Sequence, residues 1–168
     1  VINTMIKETM DPSIVSVIEG DAEVSKELLR LPFDHIFFTG SPAIGKQVMK
    51  AAADNLASIT LELGGKSPTI VTANARIKDA AQRIAVVKFI NNGQTCIAPD
   101  YVLVQDSVAE DFIKELVHQI KKSFTENEEP FEKSFHYGRI NNERHHDRVS
   151  QLIQDALQLG AQVKLTGI

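Results

Sequence analysis

The chain has 168 residues, a formal net charge of −4, 43% hydrophobic residues and 24% charged residues. These are ordinary values for a globular chain of one domain or two small ones, long enough to bury a core without staples. One cysteine excludes an internal disulfide and a multi-cysteine zinc site. The mildly acidic balance argues against a nucleic-acid partner, which needs clustered Lys and Arg. No apolar run approaches the roughly 18 residues of a membrane span.

Short apolar runs alternate with longer helical patterns. Ile2, Met5, Ile6 and Thr9 repeat at helical spacing, and Asp11-Pro12 stops that helix. Val15 to Ile18 reads as a short strand. Asp21 is placed to cap a helix through Leu29. Phe33 to Phe38 is too short for a helix, and its aromatic and β-branched residues mark a buried strand. Gly40-Ser41-Pro42 breaks it and opens a helix from about Ala43 to Leu56, with proline well placed in the first turn. Ile59 to Leu63 is the next strand, ended by Gly64-Gly65.

Beyond Gly65 the rhythm continues. Pro68 to Val71 reads as a strand and Ile77 to Ile90 as a helix, with Val87 on its apolar stripe. A loop holds Asn91 to Pro99. Tyr101 to Val104 is a strand and Val108 to Phe124 an amphipathic helix. Residues 125–138, with Glu126, Glu128, Glu129, Glu132 and Pro130, read as an exposed connection. A helix over Asn142 to Leu159 ends at Gly160, and Val163 to Thr166 begins a last strand. Alternating strands and helices predict an α/β fold with parallel strands. The boundary falls at Gly64-Gly65, giving regions 1–64 and 65–168.

Three segments carry candidate chemistry. In Phe37-Phe-Thr39-Gly40-Ser41-Pro-Ala-Ile-Gly45-Lys46 a strand meets a glycine turn and a helix start, where free N–H groups and the dipole favour phosphate. It matches neither G-x-G-x-x-G nor a P-loop, and alone it reads equally as a plain turn. Glu62 sits in an apolar strand before a glycine pair. Such a carboxylate is paired, hydrated or raised in pKa, and a raised pKa suits a general base. The bland alternative is a glutamate on a solvent face. Cys96, in Gly93-Gln94-Thr95-Cys96, is either an inert small hydrophobe or a nucleophile, and Glu62 is its plausible partner. His145 and His146 are adjacent on a helix, about 100° apart, so they do not chelate together. No metal site is expected.

The three segments in this order and spacing resemble the aldehyde dehydrogenase superfamily, and Phe33 to Ser41 with Gly93 to Tyr101 resemble its class 3-like branch. The likeness extends over nearly the whole chain, including Tyr137-Gly-Arg-Ile. It implies a parallel Rossmann-type sheet portion over 1–64, closing a dinucleotide-binding domain, and the start of the α/β catalytic domain over 65–168. It implies that Cys96 attacks an aldehyde, that Glu62 activates water, and that the Cys96 N–H forms half of an oxyanion hole. Gly40, Ser41 and Gly45 would lie along the pyrophosphate of NAD or NADP. Thr39 and the Leu63 carbonyl would lie near the nicotinamide. The implied reaction oxidises an aldehyde to the acid through a cysteine thiohemiacetal and thioester, in a homodimeric full-length parent.

Departures from that pattern carry further expectations. Family members are well over twice this length. The chain lacks the upstream Asn of the oxyanion hole, the residues that hold either ribose, and the oligomerisation hairpin. It opens inside a helical pattern without Met, so both ends are expected to be cut, and the isolated piece is expected to be inactive. Val86-Val87 stand where the class 3-like branch has a Trp-Gly pair, on the helix leading to Cys96. Two other readings are a truncated binding or assembly module and a thiol esterase side activity. The absence of a leader, with one cysteine, suggests a cytoplasmic setting.

Overall fold

The computed structural model describes residues 1–125 and 129–165. It divides into two units, Val1–Leu63 and Gly64–Ile168. In the first, α1 (Ile2–Thr9) and α2 (Ala22–Leu28) precede β1 (His35–Gly40), α3 (Pro42–Asp54) and β2 (Ser58–Leu63). Strands β1 and β2 pair in parallel from His35↔Ser58 to Gly40↔Leu63, so α3 is the crossover that parallel strands require.

Local chemistry accounts for these helices. Asp21 caps α2, its carboxylate accepting from the Glu23 and Val24 N–H groups. Ser41 caps α3 through the Ile44 N–H, followed by Pro42 in the first turn. Gly45, Val48 and Ala52 form the buried stripe of α3. The end of α3 is unusual. The Ala57 N–H bonds the Ala52 carbonyl and the Leu56 N–H the Ala53 carbonyl. That is a paired C-terminal cap, and its left-handed position is filled by Leu56 at φ 53° rather than glycine.

Two expectations in this unit need correction. Val15 to Ile18 forms no strand: β1 pairs only with β2, and a strand persists only where a ladder satisfies its backbone. The strand expected from Phe33 starts at His35. The Phe33 N–H bonds the Leu31 carbonyl and closes a turn there, so the ladder begins two residues later.

The second unit pairs β3 (Ser67–Val71) with β4 (Pro99–Val104), again in parallel. Ser67 faces Pro99 but Pro68 faces Tyr101, so the register slips by one residue at Asp100. α4 (Ile77–Phe89) and α5 (Asp106–Phe124) supply the core, and α6 (Glu143–Gln158) follows, capped by the Asn142 side chain. Val71, Ala81, Ile84 and Phe112 form one buried cluster; Ala85, Ile120, Phe124 and Phe131 form another. Val87, placed on the apolar stripe by its spacing, is 45% exposed.

Residues 129–138 are more than the exposed connection that their acids suggest. A short 3-10 turn, Phe131–Lys133, buries Phe131, and Ser134 is buried beside it. Apolar burial outweighs the flanking charge, because Glu129 and Glu132 stay exposed. Glu126 and Glu128 lie outside the described residues. No strand forms at Val163 to Leu165, for want of a partner among the described residues, and Thr166 lies outside them.

Candidate functional site

The first unit gathers its candidates at the carboxyl ends of two parallel strands. Thr39 stands opposite Glu62 and Gly40 opposite Leu63. Ser41 follows at once as the cap of α3, its hydroxyl 3.3 Å from the Ile44 nitrogen. This is the place where parallel α/β sheets bind ligands, and the positive end of the α3 dipole adds its preference for an anion. Gly45 also has a packing task. A Cβ there would come within 2.9 Å of Leu63 Cδ2, so its lack of a side chain lets α3 lie against β2. An apolar groove of about 530 Å³ opens beside the first turns of α3, lined by Ala22, Leu29, Phe38, Ile44 and Val48 among others. Glu62 and Thr39 are both exposed. His35, a residue without an expected role, spans Ser58 and Thr60 of β2 with its two ring nitrogens, at 2.7 and 3.2 Å.

The second unit holds Cys96 in an unusual loop. After α4 the chain passes through Asn91 (φ 52°), Asn92 (φ 54°) and Gly93 (φ 71°), three consecutive residues in the left-handed region. Glycine enters that region freely and asparagine tolerates it; other side chains clash with the backbone. The thiol that follows is exposed. The Ala98 N–H closes a turn onto the Thr95 carbonyl at 3.2 Å.

This loop is held by residues far away in the chain. The Gln94 carboxamide donates from Nε2 to the Asn91 and Arg139 carbonyls, at 2.9 Å each. Its Oε1 accepts the Asn141 N–H at 3.0 Å. The Tyr137 hydroxyl donates to Asn92 Oδ1 at 2.6 Å. Tyr137 is itself set among Phe89, Phe124 and Phe131, with ring centroids 5.5–6.4 Å away. Burial there pushes the Tyr137 phenol up from its ordinary pKa, only partly offset by Arg139, which keeps the hydroxyl a donor. Arg139 reaches the Glu132 and Tyr137 carbonyls.

Gly65 makes the closest approach of the described glycines. A Cβ on it would lie 2.2 Å from the Cys96 carbonyl oxygen. The sequence marks Gly65 as a strand terminator and a boundary, and its contact was not accessible from spacing. Lys66 pairs with Asp100 at 2.9 Å, and that hydrogen bond holds the Asp100 carboxyl below its ordinary pKa. Among the described residues no group of three or more His, Cys, Asp or Glu side chains is placed to hold a metal ion.

Comparison with known proteins shows the family. The model of the aldehyde dehydrogenase family matches residues 1–168. The chain belongs to the aldehyde dehydrogenase family. It is 47% identical over 156 residues to the 4,4'-diaponeurosporen-aldehyde dehydrogenase of Staphylococcus aureus, covering 93% of this chain and 33% of that one. It is 45% identical over 152 residues to the dimeric NADP-preferring aldehyde dehydrogenase of Mus musculus, covering 90% of this chain and 33% of that one. A solved structure of Staphylococcus aureus AldH in its substrate-bound state superposes with a TM-score of 0.83 at 45% identity, over 94% of this chain and 34% of that one. The α/β architecture with parallel strands is that of an aldehyde dehydrogenase segment. The chain spans about a third of the length of the curated relatives it matches.

Proposed function

We propose that the full-length protein oxidises an aldehyde to a carboxylic acid with NAD or NADP, and that this chain supplies its nucleophile and its base. The observation that carries the reading is Cys96: an exposed thiol, in a family chain, at the end of a left-handed loop pinned by four side-chain hydrogen bonds. In this reading residues 1–64 close the dinucleotide-binding domain and 65–168 open the catalytic domain.

The residues present suit a dinucleotide. Gly40 and Ser41 lead into the α3 N-terminus, which favours a pyrophosphate. The apolar groove beside Ile44 and Val48 suits a planar base, while Gly45 lets the helix seat against β2. Thr39 and the Leu63 carbonyl would hold the nicotinamide end of the dinucleotide. The mouse relative's NADP preference supports the cofactor class. When bound, the cofactor supplies the acceptor for the two electrons and the hydrogen that leave the aldehyde carbon.

The chain's own residues do the rest. Cys96 Sγ bonds to the aldehyde carbon as the carbonyl electron pair moves onto oxygen, and the Cys96 N–H donates to that oxyanion. Oxidation leaves the acyl group on Sγ as a thioester. Glu62 accepts a proton from the water that attacks the acyl carbon, and the C–S bond breaks to return the thiolate and release the acid. The full-length protein works as a homodimer, in line with the dimeric mouse relative. The isolated chain, about a third of its relatives' length, has no dehydrogenase activity of its own.

The test is kinetic and uses the full-length protein. Cys96→Ala is expected to leave less than about one part in a thousand of wild-type turnover, since losing a covalent nucleophile usually costs more than that. Higher residual turnover overturns the nucleophile. Glu62→Gln is expected to keep a burst of reduced cofactor, followed by slow steady turnover. Loss of the burst with the steady rate moves Glu62 out of hydrolysis.

A further inference from the structure

We infer that the Gln94 carboxamide and the Tyr137 hydroxyl are positioning groups for Cys96: they latch the left-handed loop onto residues 137–141 and so set where the thiol is presented. The inference rests on the reading of Cys96 as the nucleophile.

The loop conformation is costly on its own. Residues other than glycine are strained in the left-handed region, asparagine less than most, and they persist only where their surroundings over-determine them. Asn91 and Asn92 are two such residues in succession. Their own local bonds are few: Asn91 Nδ2 reaches the Gln94 carbonyl at 3.2 Å, and the Gln94 N–H reaches the Asn91 carbonyl at 3.2 Å. Gln94 Nε2 adds a third local bond to the Asn91 carbonyl at 2.9 Å, and the remaining bonds come from sequence-distant groups. Gln94 uses both ends of its carboxamide on Arg139 and Asn141, and Tyr137 reaches Asn92.

The 137–141 segment is a firm support. Tyr137 is packed among three phenylalanines from α4, α5 and the 3-10 turn. Gly138 brings the segment close to the loop, since a Cβ there would lie 3.4 Å from the Asn91 and Asn92 backbone. The bonds therefore run from a packed aromatic cluster, through Tyr137 and Gln94, to the strained turn at Asn91–Gly93 that leads to the thiol. None of these side chains touches the reacting atoms; they act through the backbone of the loop.

Three variants of the full-length protein test this: Gln94→Ala, Tyr137→Phe and Cys96→Ala. Tyr137→Phe keeps the ring in its cluster and removes one hydrogen bond, so it remains informative if Gln94→Ala does not fold. A catalytic group misplaced by about 1 Å can cost about 100-fold. Gln94→Ala is therefore expected to lower kcat by roughly that factor, and Tyr137→Phe by about 10-fold, with KM within about twofold. A merely structural role would shift the melting temperature and the folded fraction, and leave kcat per folded molecule unchanged. Amide exchange over residues 91–97, which needs no turnover, should quicken in Tyr137→Phe while α4 and α5 stay protected. Wild-type kcat in both variants when folded, or unchanged exchange in that loop, overturns the latch. Failure of the underlying reading shows separately, as turnover that survives in Cys96→Ala.

Discussion

The two glycine-bearing turns of this chain are built on opposite principles. The turn at Gly40–Gly45 is relaxed: a serine cap, a proline in the first helical turn and a glycine facing β2 are each satisfied by close neighbours. The turn at Asn91–Cys96 is strained, with three successive left-handed residues held from residues 45 to 47 positions away. A turn that presents backbone N–H groups to an anion needs only local chemistry. A turn that must hold one sulfur atom in a fixed place takes rigidity from elsewhere in the unit.

The comparison breaks most readily at Gly65. Any Cβ there meets the Cys96 carbonyl 2.2 Å away, and backbone atoms cannot swing aside as a side-chain tip can. Relief requires a shift of about 1 Å in the Cys96 loop, so under the proposed role of Cys96, Gly65→Ala in the full-length protein is expected to lower kcat about 100-fold. Steady-state kinetics check this, and near-normal kcat would show that the loop adapts freely. The relaxed turn predicts a gentler response. Ser41→Ala removes one cap bond, and at 3.3 Å that bond is long. It should cost about 0.5–1 kcal/mol, read by denaturant melts of the full-length protein. A loss several times larger would mean that the first turn also depends on remote support.

The smallest expected effect is a pH dependence. Lys66 lowers the Asp100 pKa in the folded chain below its ordinary value of 3.8. In that case the unfolded chain binds more protons near that pH, so the contribution is fully present above 3.8 and is lost as pH falls through the lowered folded value. Both side chains reach solvent, so salt should weaken it. Acid melts of the native chain and of Asp100→Asn should converge at low pH. Curves that stay parallel would remove Asp100 from the support of the loop's outgoing strand.

The same contrast decides what can be read from residues alone. The relaxed turn was legible: the break at Gly40-Ser41-Pro42 that opens α3, Pro42 in its first turn and β2 ending at Leu63 follow from short-range preferences, as does Asp21 as the cap of α2. Cys96 and Glu62 were singled out as candidates through motif order. What escaped were long-range facts. Gly65 against Cys96, Gln94 bridging to Arg139 and Asn141, and Tyr137 on Asn92 depend on which distant segment packs beside the loop. Phe131 was hidden by its acidic neighbours, although an aromatic within a charged run is itself a signal of an anchor. Val15 to Ile18 had strand composition without a partner, and composition does not say whether a partner is there.

The dependence of the thiol loop on Tyr137, Arg139 and Asn141 also has a consequence in time. A ribosome adds about 5–20 residues per second, so the 45 positions that separate Gln94 from Arg139 take roughly 2–9 s to follow. Throughout that interval Cys96 exists on the nascent chain without the bonds that shape its loop. The newest copies of this protein therefore carry an ordinary cysteine, open to whatever oxidants or electrophiles surround the ribosome, and the sulfur acquires its defined setting only when the later segment arrives.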